Sequence, residues 1–228
     1  MSYTLNELLA APGNYGGSRS AAKIKYLVIH YTGNDGDTAA SNAKYYHNNT
    51  VEASAHYFVD DTTVFRSVPD LKVAWAVGGK KYASCDSTGG GSMHGIITNT
   101  NSISVELCDT VRDSTYRASE DTLANAVALC VDLMAKYDIP LENVYRHFDV
   151  TGKLCPSYYV DADAWSVFKK RVGKRAIDNI PASYAKEAIQ WVQDNGIMTG
   201  DASGDLMLSQ PMTRQQFAVM LWRYANAI

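Results

Sequence analysis

Residues 24–31 read IKYLVIHY, and residues 102–107 read SISVEL. Both runs are short, apolar and rich in β-branched or aromatic residues, which predicts buried strands. Working outward from the first, Gly33–Asp37 reads as a turn, and TAASNAKYYHN (38–48) as a short helix capped by Thr38 or Asp37. AHYFVD (55–60) and the run from Thr63 to Val68 predict two further strands. Before SISVEL lies CDSTGGGSMHG (85–95), a glycine-rich stretch that reads as a flexible polar loop. After it, SEDTLANAVALCVDLMAKY (119–137) repeats Leu123, Val127, Cys130 and Met134 at helical spacing, with Ser119 at its start and Pro140 just past its end. Val144–His147 predicts a short strand running into a loop, and Asp163–Val172 a last helix. Strands alternating with helices give an α/β domain with a mixed central β-sheet flanked by helices.

Gly173–Ile180 is polar and shows no periodicity, so a boundary is expected near Lys174, with domains at 1–173 and 181–228. Beyond it two amphipathic patterns appear. Tyr184–Asn195 places Ala188, Ile189 and Val192 on one face, and Thr213–Ala225 places Phe217, Met220, Leu221 and Tyr224 on another. The connection, GIMTGDASGDLMLSQPM (196–212), is rich in turn residues. Two short helices bury little surface, so this small helical C-terminal domain needs a partner surface.

The 228 residues carry a net charge of −3, with 46% hydrophobic and 20% charged residues, as in ordinary globular chains. No basic excess points to nucleic acid or to a membrane surface. No apolar run is long enough to span a bilayer, and MSYTLNELLAAPGNYGG lacks the basic and apolar segments of a secretory leader. Synthesis in the cytoplasm is the resulting expectation. The four cysteines, Cys85, Cys108, Cys130 and Cys155, form no CxxC pair, and Cys108 and Cys130 read as reduced core thiols.

Three residues suggest a metal. His30 ends the first buried strand, and His147 and Cys155 lie in RHFDVTGKLCP (146–156). Two imidazoles and a thiolate suit zinc, and three protein ligands leave a position open for water, as a hydrolase requires. In order, LVIHYTG (27–33), SAHYFVD (54–60), NSISVEL (101–107) and RHFDVTGKLCP resemble the type 2 N-acetylmuramoyl-L-alanine amidases, phage endolysins above all. The resemblance spans roughly residues 20–172. It implies that His30, His147 and Cys155 bind zinc, that Glu106 is the general base or acid, and that Lys153 steadies the tetrahedral oxyanion. A carboxylate interrupting an apolar strand, as Glu106 does, is costly without a task or a partner. The implied reaction is hydrolysis of the amide between N-acetylmuramic acid and L-alanine of peptidoglycan. The segment from Trp75 to Asn101 is too long for a hairpin and is expected to wall the substrate groove, with Trp75 and Tyr82 as contacts.

Two positions depart from the family pattern. Where some members carry a tyrosine before the histidine of the second strand, this chain has Ala55 beside His56, and Ala76 follows Trp75 where many relatives have histidine. His56 therefore reads as a packed residue near the site and not as a ligand. The same fold also serves silent peptidoglycan-recognition modules and cytoplasmic muropeptide-recycling amidases. Cys155 with Glu106 and Lys153 favours an enzyme over the first, and the tail favours a wall-directed enzyme over the second.

In the tail, NGIMTGD (195–201) and MTRQQFAVML (212–221) resemble one S-layer homology repeat. The module usually occurs in three copies that together bind wall polymer. A single copy implies self-association or docking on the amidase, with homo-oligomerisation the expectation, and Arg214 as the contact to anionic cell-wall polymer. An endolysin would act on the wall after holin-type release.

Overall fold

The computed structural model describes residues 3–179, 181–201, 206–208 and 211–227. Its centre is a six-stranded sheet built from β1 (Thr4–Glu7), β3 (Tyr26–Asp35), β4 (Tyr57–Val59), β5 (Thr63–Arg66), β7 (Ser102–Asp109) and β8 (Val144–Arg146), in the order β1-β5-β4-β7-β3-β8. The β4–β5 pair is antiparallel and all other pairs are parallel. A separate two-stranded ribbon joins β2 (Tyr15–Ser18) to β6 (Lys72–Ala74). The expected mixed sheet with flanking helices is the observed architecture.

Alternation along β3 and β7 sorts their side chains between two layers. Leu27 and Ile29 of β3, with Ile103, Val105 and Leu107 of β7, face the main core. That core is closed by α3 (Glu120–Tyr137) and α5 (Ala162–Asn179). Burying Leu123, Val127, Leu133 and Met134 of α3 stabilises the fold by about 1.5–3 kcal/mol each. Helix α3 begins where expected: Ser119 accepts a hydrogen bond from the Thr122 N–H at 3.0 Å. Val28 faces the opposite layer, against Val77, Ile97 and Val150. Helix α1 (Ala39–Asn48) lies there too, its Ala39 and Ala43 packed on Phe58 and Cys108, with Thr38 and Ser41 forming a reciprocal cap.

Several local expectations are corrected. The segment expected to turn at Gly33 stays within β3 as far as Asp35 but bulges: the register with β7 breaks after Tyr31, Gly33 takes φ +66°, and pairing resumes at Asp35 opposite Asp109. His147 does not end a strand; it opens α4 (His147–Thr151). The patternless stretch after Gly173 is helical, and α5 continues to Asn179. Trp165, Phe168, Val172 and Ala176 form one buried stripe, and a side chain at position 173 would come within 2.7 Å of Leu141 Cδ2, so the glycine permits close packing. The glycine-rich segment is pinned: Gly90 and Gly91 are buried, Gly91 N–H donates to the Phe148 carbonyl, and Met93 N–H donates to that of Asp149. A four-residue helix, α2 (Cys85–Thr88), lies within this segment.

In the tail, α6 (Lys186–Asp194) and α7 (Arg214–Ala227) face each other. Trp191 meets Tyr224 with ring centroids 6.2 Å apart, and Arg223 donates to the Ile197 carbonyl and to Thr199 Oγ1. Parts of the connection read as a turn-rich loop, residues 202–205 and 209–210, lie outside the described residues, as does Ile180 in the expected boundary. Ile197 is buried, whereas Phe217, Val219, Leu221 and Trp222 of α7 are exposed among the described residues.

Candidate metal centre

Strand register builds the site. In β3 the residue opposite Glu106 of β7 is His30, so both side chains leave the sheet on the Val28 face. On the other flank β8 pairs in parallel with β3, ending at Ile29 opposite Arg146. One residue further along, His147 follows Arg146 just as His30 follows Ile29, which puts the two imidazoles side by side with ring centroids 4.6 Å apart. A latch holds this turn: Arg146 donates to Asp149 through Nε at 3.0 Å and Nη2 at 2.6 Å, while its backbone N–H donates to the same carboxylate. The chain then reverses after Gly152, whose φ is +83°, a conformation natural to glycine. The reversal returns Cys155 to the site, where the Phe148 N–H donates to its carbonyl.

The result is one cluster: a ligand atom from each of His30, His147 and Cys155 lies within 4.8 Å of the others. The Cys155 Sγ is 3.9 Å from His30 Nδ1, and Glu106 Oε1 is 3.8 Å from the same nitrogen. His30 Nε2, His147 Nδ1 and Glu106 Oε2 are buried with no hydrogen-bond partner among the described residues. Unpartnered buried polar atoms are costly, and a cation held between the imidazoles and the thiol, with its water, would offer partners to His147 Nδ1 and Glu106 Oε2. Burial holds His147 near a pKa of about 4, with Lys153 adding to the shift, and pushes that of His30 well below its ordinary value. Both imidazoles are therefore neutral, the form that binds metal. Burial, helped by the Glu106 charge and opposed by the Tyr31 backbone and Lys153, pushes the Cys155 thiol up to about 12, and a metal cation beside it would favour the thiolate instead. The donor set thus fits a metal, and its two nitrogens and one sulfur are a combination that zinc accepts.

Glu106 keeps about a fifth of its side chain open. Burial pushes its pKa up to about 8, opposed by Lys153 and supported by Asp37. Beside His147 opens a groove of about 510 Å³ lined by Gly78–Tyr82, Thr151 and Lys153. Tyr82 and Lys153 therefore share a groove with His147. Trp75 does not line this groove; its backbone exchanges hydrogen bonds with Ser54, and its indole lies against Gly16 of the ribbon. Arg214 is exposed at the first turn of α7. His56 is fully buried, its Nδ1 accepting from the Ser104 N–H, and burial followed by the Arg19 charge lowers its pKa to about 3. Sequence reasoning missed Lys80 and Lys81 as groove residues, and no local pattern marks them.

A family model described as N-acetylmuramoyl-L-alanine amidase matches residues 20–158, more than half of the chain and all of the cluster. The chain belongs to this amidase family. An S-layer homology domain model matches residues 177–218. A probable N-acetylmuramoyl-L-alanine amidase of Bacillus licheniformis is 34% identical over 156 residues, covering 66% of this chain and 42% of its own. The chain spans about two fifths of the length of the first curated relatives it matches. Among solved structures, a mutant of PlyL is 30% identical with a TM-score of 0.58, covering 74% of this chain and 98% of its own. The catalytic domain of XlyA is 28% identical with a TM-score of 0.58, covering 75% and 99% respectively. The XlyA catalytic domain is thus matched over almost its full length, and the tail lies outside the amidase family match at 20–158.

Proposed function

We propose that this chain is a zinc-dependent N-acetylmuramoyl-L-alanine amidase of the endolysin kind, with a catalytic domain that runs past the expected 173 to the end of α5 at Asn179 and a wall-directed module at 181–228. The observation that carries the reading is the convergence of His30, His147 and Cys155 beside a Glu106 oxygen that has no partner among the described residues. Zinc held by those three residues supplies Lewis acidity and a more acidic water. Glu106, whose Oε1 lies 3.8 Å from His30 Nδ1, would take the water proton and carry it to the leaving amine of L-alanine. Lys153 stands at the groove wall beside His147, where its charge would offset the developing oxyanion. Tyr82 would contact the substrate, whereas Trp75, packed on the ribbon, would act only through the backbone it holds. Arg214, exposed on α7, would meet anionic wall polymer.

The test is digestion of purified peptidoglycan by the zinc-loaded full chain, with and without chelator, read by mass spectrometry. New L-alanine amino termini with intact glycan, lost on chelation and restored by zinc, are the expected result. New reducing sugar ends, or cleavage that survives complete removal of metal, refute it.

A further inference from the structure

Beyond the histidine–cysteine cluster, a second group of metal-ligating side chains lies at the carboxyl ends of the same two strands. Asp35 closes β3 and Asp109 closes β7, and they are paired in register. Asp113 approaches from the loop that follows. One carboxylate oxygen from each lies within 4.8 Å of the others. Backbone N–H groups already fix these carboxylates on one side. Asp35 Oδ1 accepts from Asp113 and Ser114, Asp109 Oδ1 from Val111, and Asp113 Oδ1 from Thr115.

A separate observation marks the group as a site. Asp109 is 2% exposed, and its Oδ2 is buried with no hydrogen-bond partner among the described residues. A carboxylate oxygen so placed should be protonated, paired or bound to a cation. No lysine or arginine is ion-paired to the group among the described residues. Arg112 is the nearest cation in sequence, and its stem packs over Gly36. Burial raises the Asp109 pKa, the Val111 N–H opposes this, and the charges of Asp35, Asp113 and Asp37 raise it further. Asp37 does not join the ligands: its Oδ1 accepts from the Asp109 N–H and its Oδ2 from Asn42.

We propose that Asp35, Asp109 and Asp113 form a second cation site, selective for calcium and distinct from the His30–His147–Cys155 centre. Three carboxylates are a hard, all-oxygen donor set, which suits calcium and not zinc. Calcium–oxygen distances of about 2.3–2.6 Å allow ligands of one sphere to stand about 5 Å apart, which accommodates the observed spread. The partly exposed Asp35 and exposed Asp113 leave room for waters to complete the shell. A cation there ties the ends of β3 and β7 together and holds the loop 110–118, in which Ser114 and Tyr116 adopt positive φ. His30 and Glu106 sit on those two strands, so the clamp stiffens the frame of the catalytic centre.

The experiment is thermal unfolding and isothermal titration of the zinc-loaded full chain with calcium chloride, using magnesium chloride as the comparison. With an affinity in the ~0.1–1 mM range of exposed carboxylate sites, 10 mM calcium raises Tm by on the order of 5 °C. Asp113→Asn, an exposed position that should fold normally, abolishes most of that rise. Asp109→Asn does so too. Cys155→Ser, which strips the other centre, leaves the calcium response in place. Absence of a calcium-dependent shift, a shift unchanged by Asp113→Asn, an equal response to magnesium, or a response lost with Cys155→Ser each overturns the proposal.

Discussion

Replacing Gly152 by alanine tests how tightly the turn between His147 and Cys155 is built. Gly152 ends α4 at φ +83°, and a methyl group there would overlap Cys85 Sγ and touch Tyr82 Cβ at 3.5 Å. Two costs follow. Holding a residue with a Cβ in the left-handed region costs about 1–2 kcal/mol. Forcing a methyl group into a filled space costs about 1–3 kcal/mol, because Cys85 is buried and its thiol is held at the Thr151 carbonyl. Together they amount to about 2–5 kcal/mol, which for a domain of this size lowers Tm by on the order of 10 °C. Differential scanning calorimetry of the zinc-loaded protein measures it. Because α4 begins at His147 and Cys155 lies three residues past Gly152, zinc retention on dialysis against a weak chelator should fall as well. Cys85→Ala in the same chain removes the overlap and not the backbone cost, so the double variant should recover about 1–2 kcal/mol relative to additivity. A Gly152→Ala protein melting within 2 °C of the parent, or a double variant with no recovery, refutes the reasoning.

Glu106→Gln should retain zinc and fold, yet lose on the order of a hundredfold or more in turnover, because the amide side chain cannot accept the proton; peptidoglycan-release assays with metal analysis check it. Lys153→Ala should lose a smaller but clear amount in the same assay, as one fewer charge faces the oxyanion. Asp70 is buried and accepts from the hydroxyls of Tyr57 and Tyr137 and from Lys136 Nζ, and these bonds hold its carboxyl below the ordinary range against the opposing effect of burial. Its contribution is therefore present above the unfolded pKa of about 3.9 and lost as pH falls through the lower folded value; Asp70→Asn should cost ~1–3 kcal/mol near neutrality in urea unfolding, and the gap should close in acid. The exposed apolar side chains of α7 predict self-association through the tail, so light scattering should give an oligomer for the full chain and a monomer for one ending at Asn179; two monomers refute it.

Local sequence was enough for strands β3, β4, β5, β7 and β8, the main helices and the chemistry of the candidate ligands. Period-two alternation places Leu27 and Ile29 on one face of β3 and His30 on the other, and helical spacing with a serine cap locates α3, because these signals lie within one turn or one pleat. The family resemblance supplied the roles expected of His30, Glu106, His147, Lys153 and Cys155, which spacing alone does not. Tertiary structure decided who stands beside whom. The placement of Glu106 opposite His30 depends on β7 and β8 flanking β3 in parallel, and that pairing joins segments more than seventy residues apart through backbone hydrogen bonds that no periodicity encodes. The edge strand β1 and the ribbon strands β2 and β6 were unreadable because they carry no long apolar run and exist only where a neighbour accepts their hydrogen bonds. Gly90 read as flexible, but a side chain there would meet Phe148 and the Gly152 Cα at 2.8 Å, so it is a packing position whose meaning lies in the chain opposite. The convergence of Asp35, Asp109 and Asp113 belongs to the same class, since three carboxylates spread over 79 residues of chain become one site only when two strand ends are held side by side.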